Sequence, residues 1–157
     1  MPNNDKRTAA VVKYFRSRIG DGIDKRFFDM AFSEKNAVSV YFLEEALVTG
    51  YQFKTNPGEA ADVCRHLYSQ HVETLKRMIA EGGNDPQLLS RVMPWAAFYT
   101  VVAERSGMTG AEKDQMSALI RTNFPQFLSA YEKLTTAYRL AFTTLEGDHE
   151  FLEIIKK

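Results

Sequence analysis

Residues 56–83 read NPGEAADVCRHLYSQHVETLKRMIAEGG, and this stretch decides the fold. Asn56 stands where a helix cap belongs, and Pro57 takes the first helical position, where a missing N–H costs nothing. Glu59 occupies the carboxylate position of a capping box. Ala60, Val63, Cys64, Leu67, His71, Leu75 and Met78 then recur at helical spacing along one stripe. Asp62–His66, Glu73–Arg77 and Arg77–Glu81 are spaced i,i+4, the pattern of a solvated ladder. Gly82 and Gly83 close the run.

The same grammar extends in both directions. All nine glycines (Gly20, Gly22, Gly50, Gly58, Gly82, Gly83, Gly107, Gly110 and Gly147) fall where an apolar-periodic run begins or ends, and Pro57, Pro86 and Pro125 open the next one. A first helix is expected over 4–19, with Val11, Val12, Phe15 and Ile19 on one side, and a short second over 23–32. Ser33 reads as the cap of a third ending at Gly50. Its segment Val38–Leu43 could pass for a buried strand, but no second strand exists to pair with it, so it reads as helix. Asp85 and Pro86 open a fifth run to Arg105, which Pro94 should kink or break. Thr109 and Glu112 cap a helix over 110–122; Pro125 begins a long one through Phe127, Tyr131, Leu134, Tyr138, Ala141, Phe142 and Leu145. Asp148 caps a short terminal helix. The expectation is an all-α protein, one globular domain over residues 1–157 with seven to eight helices and no β-sheet.

A chain of 157 residues is long enough to bury about 70% of its unfolded surface without a disulfide staple. The single Cys64 suits a reducing compartment. Lys and Arg number 20 against 20 Asp and Glu, so the whole chain is no polycation. No apolar run approaches the ~20 residues of a membrane span. Charges dispersed through the first twenty residues argue against a secretory leader. A cytoplasmic protein is expected.

Catalytic and metal constellations are scarce. His66 and His71 point about 140° apart on a helix, and Cys64 lies two turns, about 10 Å, from His71, so neither pair shares an ion. A single Glu146-x-x-His149 contains Gly147 and has no second copy. Cys64 sits among apolar residues, no serine is framed as a nucleophile elbow, and no phosphate-binding loop is present. Glu44 and Glu45 are adjacent and diverge by about 100°. The expectation is no metal, no cofactor and no enzyme.

What remains is surface. Lys6, Arg7, Lys13, Arg16, Arg18, Lys25 and Arg26 make residues 1–26 basic. They could grip nucleic-acid phosphates, with Tyr14 or Phe27 to stack, or pair with Asp21, Asp24 and Asp29. From Val92 to Ala103 no side chain is charged, so this helix, with Trp95, is either wrapped by the others or half covered by a partner. Tyr41 and Val48 share a sector with Lys35 and Glu45, as interface rims do. His71, alone on an apolar stripe, could orient a small ligand or haem. The leading expectation is a non-enzymatic regulator, adaptor or small subunit with a protein partner or a second copy. A nucleic-acid backbone binder using RNA or DNA comes next, and a ligand sensor around His71 third.

Overall fold

The computed structural model describes residues 2–33, 36–82 and 85–144. Among them the protein is all helix: α1 (Pro2–Ile19), α2 (Lys25–Ala31), α3 (Ala37–Thr55), α4 (Pro57–Ala80), α5 (Pro86–Arg105), α6 (Gly110–Lys113), α7 (Gln115–Asn123) and α8 (Leu128–Thr144), with single 3-10 turns at Gly20–Gly22 and Pro125–Phe127. No strand occurs among the described residues, and Val38–Leu43 is helical. The terminal helix expected from Asp148 lies outside them. The chain forms two compact units, Thr55–Thr135 and the residues before and after it. Neither crossing falls in a linker: one is at the end of α3, the other within α8.

In the unit that holds α1 and α2, the core is aromatic. Tyr138 of α8 is fully buried, with Phe32 and Phe42 at centroid distances of 6.1 and 6.4 Å and steep ring angles. Phe28 continues the cluster at 5.1 Å from Phe32. The Tyr138 hydroxyl donates to the Ser39 carbonyl at 3.0 Å, which ties α8 to the first turn of α3. Burial holds its pKa well above the usual phenol value, so the hydroxyl stays a donor. Asp24 caps α2 by accepting from the Phe27 N–H at 2.8 Å.

In the unit Thr55–Thr135, α4 and α5 pack along each other as an antiparallel pair, and α7 closes against both. The charge-free segment of α5 is buried nearly all round, including Val92, Met93, Ala96, Ala97, Phe98 and Val101–Ala103; Trp95 is the large exposed exception. Pro94 does not divide α5. The carbonyl it leaves without a donor, that of Ser90, belongs to an exposed residue that water can serve.

Several expected details are corrected. Gly50 does not end α3, which runs on to Thr55. Gly50 continues the buried side of Leu43, Ala46 and Leu47, and burying that side outweighs the cost of one helical glycine, about 1 kcal/mol. Ser33 is not the cap of α3: its first backbone bond runs from the Val40 N–H to the Asn36 carbonyl at 3.3 Å. Asn56 stands at the cap of α4, its carbonyl accepting from the Ala60 N–H at 3.0 Å, but its side chain accepts no backbone N–H and its amide donates to Glu59 at 2.7 Å. The ion pairs of α4 are Asp62–Arg65 and Glu73–Lys76, both i,i+3. Val63 is half exposed, while Ala60, Cys64, Tyr68, Val72 and Leu75 are buried. The buried arc of α4 is thus turned by about 60° from the expected stripe.

The helix expected over 110–122 starts as expected and then breaks. Thr109 caps it, accepting from the Glu112 N–H at 3.3 Å and donating to the Glu112 carboxylate at 2.9 Å. At Asp114 it divides into α6 and α7 because the Tyr68 hydroxyl is inserted there. That oxygen accepts from the Met116 N–H at 3.2 Å and faces the Lys113 and Glu112 carbonyls at 2.6 and 3.1 Å. The Met116 N–H would meet Glu112 in an unbroken helix, so a side chain from α4 has replaced a rung of the ladder. In the same unit Thr100 donates to the Ala96 carbonyl at 2.8 Å, which leaves the Tyr131 hydroxyl as donor in their 2.6 Å contact.

The end of α5 is a Schellman turn. The Met108 N–H reaches the Ala103 carbonyl and the Gly107 N–H that of Glu104, each at 3.4 Å, with Gly107 at φ +74°. Gly107→Ala is expected to cost about 1–2 kcal/mol by urea denaturation, because a Cβ is strained at that φ. Gly58→Ala, at a helical position facing open space, is expected to be neutral or to stabilise by up to about 1 kcal/mol. Tyr68→Phe should cost about 1–3 kcal/mol in the same assay by stranding the Met116 N–H.

Candidate functional site

The turn of the buried arc of α4 leaves His71 at its edge. The imidazole lies 4.0 Å, centroid to centroid, from Tyr99 at a steep angle of 66°, and 5.7 Å from Trp95. Thr74, Leu75 and Met78 of α4, Val92 and Ala96 of α5 and Met116 of α7 complete an apolar cleft there. Its volume of about 20 Å³ holds a water molecule. A haem or other macrocycle is far larger and would have to separate α4 from α5. No hydrogen bond reaches the imidazole from the described residues, and burial pushes its pKa below the ordinary histidine value. At neutral pH it is therefore an uncharged ring beside two aromatic ones.

Trp95 lines this cleft and is 40% exposed; Leu88, two helical turns earlier on α5 and outside the cleft lining, is 41% exposed. Leu88, Val92, Trp95 and Tyr99 follow one another at i, i+4, i+7 and i+11 along one side of α5. Spacing alone could have found this row, in which only Trp95 was singled out. The arrival of Met116 from another helix had no signal in the sequence.

The basic surface is only partly assembled. Lys6, Lys13 and Arg16 are exposed within about 80° of one another around α1. Arg18 lies about 140° around the helix from Lys13, its guanidinium 5.5 Å from the Tyr14 ring. The Arg7 side chain is outside the described residues. Lys25 and Arg26 are exposed in the first turn of α2. Arg16 is ion-paired to Asp29 and stands over the Phe28 ring. Tyr14 and Phe27, expected as stacking partners for bases, are instead buried in the core, so neither offers a face.

On α3, Tyr41 is exposed while Glu45 and Val48 are half-buried; Lys35 is outside the described residues. Burial is the main cause that raises the Glu45 carboxyl above its usual range, and the hydrogen bond from Tyr41 opposes it. These two expected interface residues thus already engage each other. Cys64 is buried, which pushes its thiol pKa up against a hydrogen bond to Ser106. Among the described residues no three of His, Cys, Asp and Glu gather as a metal site, and no helix is long and apolar enough to cross a membrane.

The Arg16–Asp29 pair is exposed at both ends. A double-mutant cycle with Arg16→Ala and Asp29→Ala is expected to give a coupling below about 1 kcal/mol. A larger value would mark Arg16 as a structural tie rather than a group available to a partner.

Comparison with protein-family models, with curated proteins and with solved structures finds no match to the chain.

Proposed function

We propose that this chain is a non-enzymatic interaction module, a regulator, adaptor or small subunit whose contact surface is the α4–α5 side bearing Leu88, His71 and Trp95. The observation that carries the reading is the exposure of Trp95 beside an apolar cleft, within a charge-free segment of α5 that is otherwise largely buried. Tryptophans set in or next to small apolar pockets are the residues that most often dominate binding energy between proteins. A cleft this narrow is too small for a free substrate, so the reading rests on the exposed Trp95 at the cleft. The reading goes with a cytoplasmic location, where a lone thiol such as Cys64 stays reduced.

A second reading has one observation in its favour. Lys6 and Lys13 are exposed on the same side of α1, with Lys25 and Arg26 exposed on α2, and such cations bind nucleic-acid phosphates. The burial of Tyr14 and Phe27 removes the base-stacking part of that idea and leaves backbone contact alone.

One experiment separates the two. Tagged wild-type protein, Leu88→Asp and the double variant Lys6→Glu/Lys13→Glu are used to capture partners from the source cells, with and without nuclease. Leu88 lies in the first turn of α5, where a carboxylate favours the helix, so Leu88→Asp should fold normally. The interaction reading expects a protein partner that survives nuclease, is lost with Leu88→Asp and is kept with the lysine double variant. Capture of nucleic acid, abolished by the lysine changes and by salt, would reject it in favour of the second reading. Self-association weakened by Leu88→Asp in sedimentation would identify the partner as a second copy.

A further inference from the structure

Helix α7 begins without a side-chain cap of its own. Asp114 stands at its N-cap position, but the Asp114 carboxylate accepts no backbone N–H, and the capping box of Thr109 and Glu112 serves α6 instead. The Met116 N–H is served from another helix. It donates to the Tyr68 hydroxyl at 3.2 Å, and that hydroxyl donates to the Lys113 carbonyl at 2.6 Å. Burial pushes the phenol pKa up, so Tyr68 keeps the proton it donates. Packing of this turn rests on one side chain. Of Gln115, Met116, Ser117 and Ala118, Met116 alone is buried, and the next buried residue of α7 is Ile120. Met116 forms the α7 side of the cleft between α4 and α5. One thioether and one phenol thus hold the turn that closes the cleft.

We infer that the first turn of α7 is a movable wall of the cleft, and that the Tyr68 hydroxyl is the pin that holds it in place. With the pin set, Met116 fills the space between α4 and α5, and the cleft has room for a water molecule. When the turn lifts, the Met116 side chain leaves with it, and the cleft gains the room of a methionine side chain. The hinge is the junction at Asp114, where the helical ladder is already interrupted. Lifting parts the Tyr68 hydrogen bonds and uncovers one apolar side chain, while Ile120 keeps the rest of α7 anchored. Openings of this size lie well below global unfolding in free energy. Tyr68 does not line the cleft; it acts through Met116 and is a positioning residue. The inference goes beyond the interaction reading and concerns the free protein, so either can fail without the other.

Methionine oxidation measures this wall directly, because the chain carries its own standards. Hydrogen peroxide transfers one oxygen atom to a thioether and leaves as water, at a rate set by access. Met30 on α2 is 68% exposed, whereas Met93 of α5 and Met116 are 2% and 1% exposed. Purified full-length wild type, Tyr68→Phe and Tyr131→Phe are treated with peroxide, and sulfoxide at each methionine is followed by peptide mass spectrometry. In wild type Met30 should react fastest and Met116 slowly. Tyr68→Phe should speed Met116 roughly five- to tenfold, the equilibrium effect of one lost hydrogen bond, with Met30 and Met93 unchanged. Tyr131→Phe removes a buried hydroxyl bonded to Thr100 and should leave Met116 slow. Hydrogen exchange on wild type needs no variant to fold. There the Met116 amide should be protected at least about tenfold over an unstructured amide, but less than that of Ile120. The pin is overturned if the Met116 amide exchanges freely, or if Tyr68→Phe leaves its oxidation rate unchanged. Equal acceleration of Met93, or the same effect from Tyr131→Phe, would assign the change to general destabilisation and reject it. Protection of Met116 equal to Ile120 would show that the turn does not move by itself, and would reject the movable wall.

Discussion

A tyrosine hydroxyl taken out of water must keep a hydrogen bond, and in a helical protein most backbone groups are already committed to their own helices. Much of this structure follows from how that demand is met. Tyr138 meets it by donating to Ser39 in the first turn of α3, where a carbonyl has a second lone pair to offer. Tyr68 meets it at the junction of α6 and α7, where a ladder has been opened to receive it. Tyr131 meets it through a threonine that in turn satisfies itself on its own helix. In each case one phenol fixes the separation and the register of two elements. An aliphatic side chain of equal size would allow them to slide.

The position of Tyr68 also explains the candidate site. Because Tyr68 and Val72 face inward, the buried arc of α4 is rotated and His71 and Met78 come to its flank. There they meet the side of α5 that carries Val92, Trp95 and Tyr99, and a narrow apolar cleft results. Small residues at Ala96, Ala97 and Ala103 suit the close approach of α5 to its neighbours. The same rotation exposes Val63, an apolar residue that periodicity alone would bury. Site and core are therefore two consequences of a single choice of helical phase.

Where local reading failed, a nonlocal term had outweighed a local one. Gly50 reads as a stop by propensity, yet it continues a buried side whose packing is worth more than a glycine costs. Arg16 reads as one of seven cations on a basic segment, and only the proximity of α2 shows it paired with Asp29. Tyr14 and Phe27 stand beside cations in sequence and inside the core in space.

The amino-acid order by itself determined the helical class, the sites of most turns, the cap at Asp85 and the start at Thr109. These rest on backbone chemistry and 3.6-residue periodicity, which act within a few residues of their cause. It also singled out His71 and Trp95 separately, without reason to place them together. Only the tertiary structure decided the phase of α4, the break at Asp114 and the meeting of His71, Tyr99, Trp95 and Met116 in one cleft. Those depend on where a hydroxyl from one helix finds an open rung in another, and that is settled by packing between segments far apart in the chain.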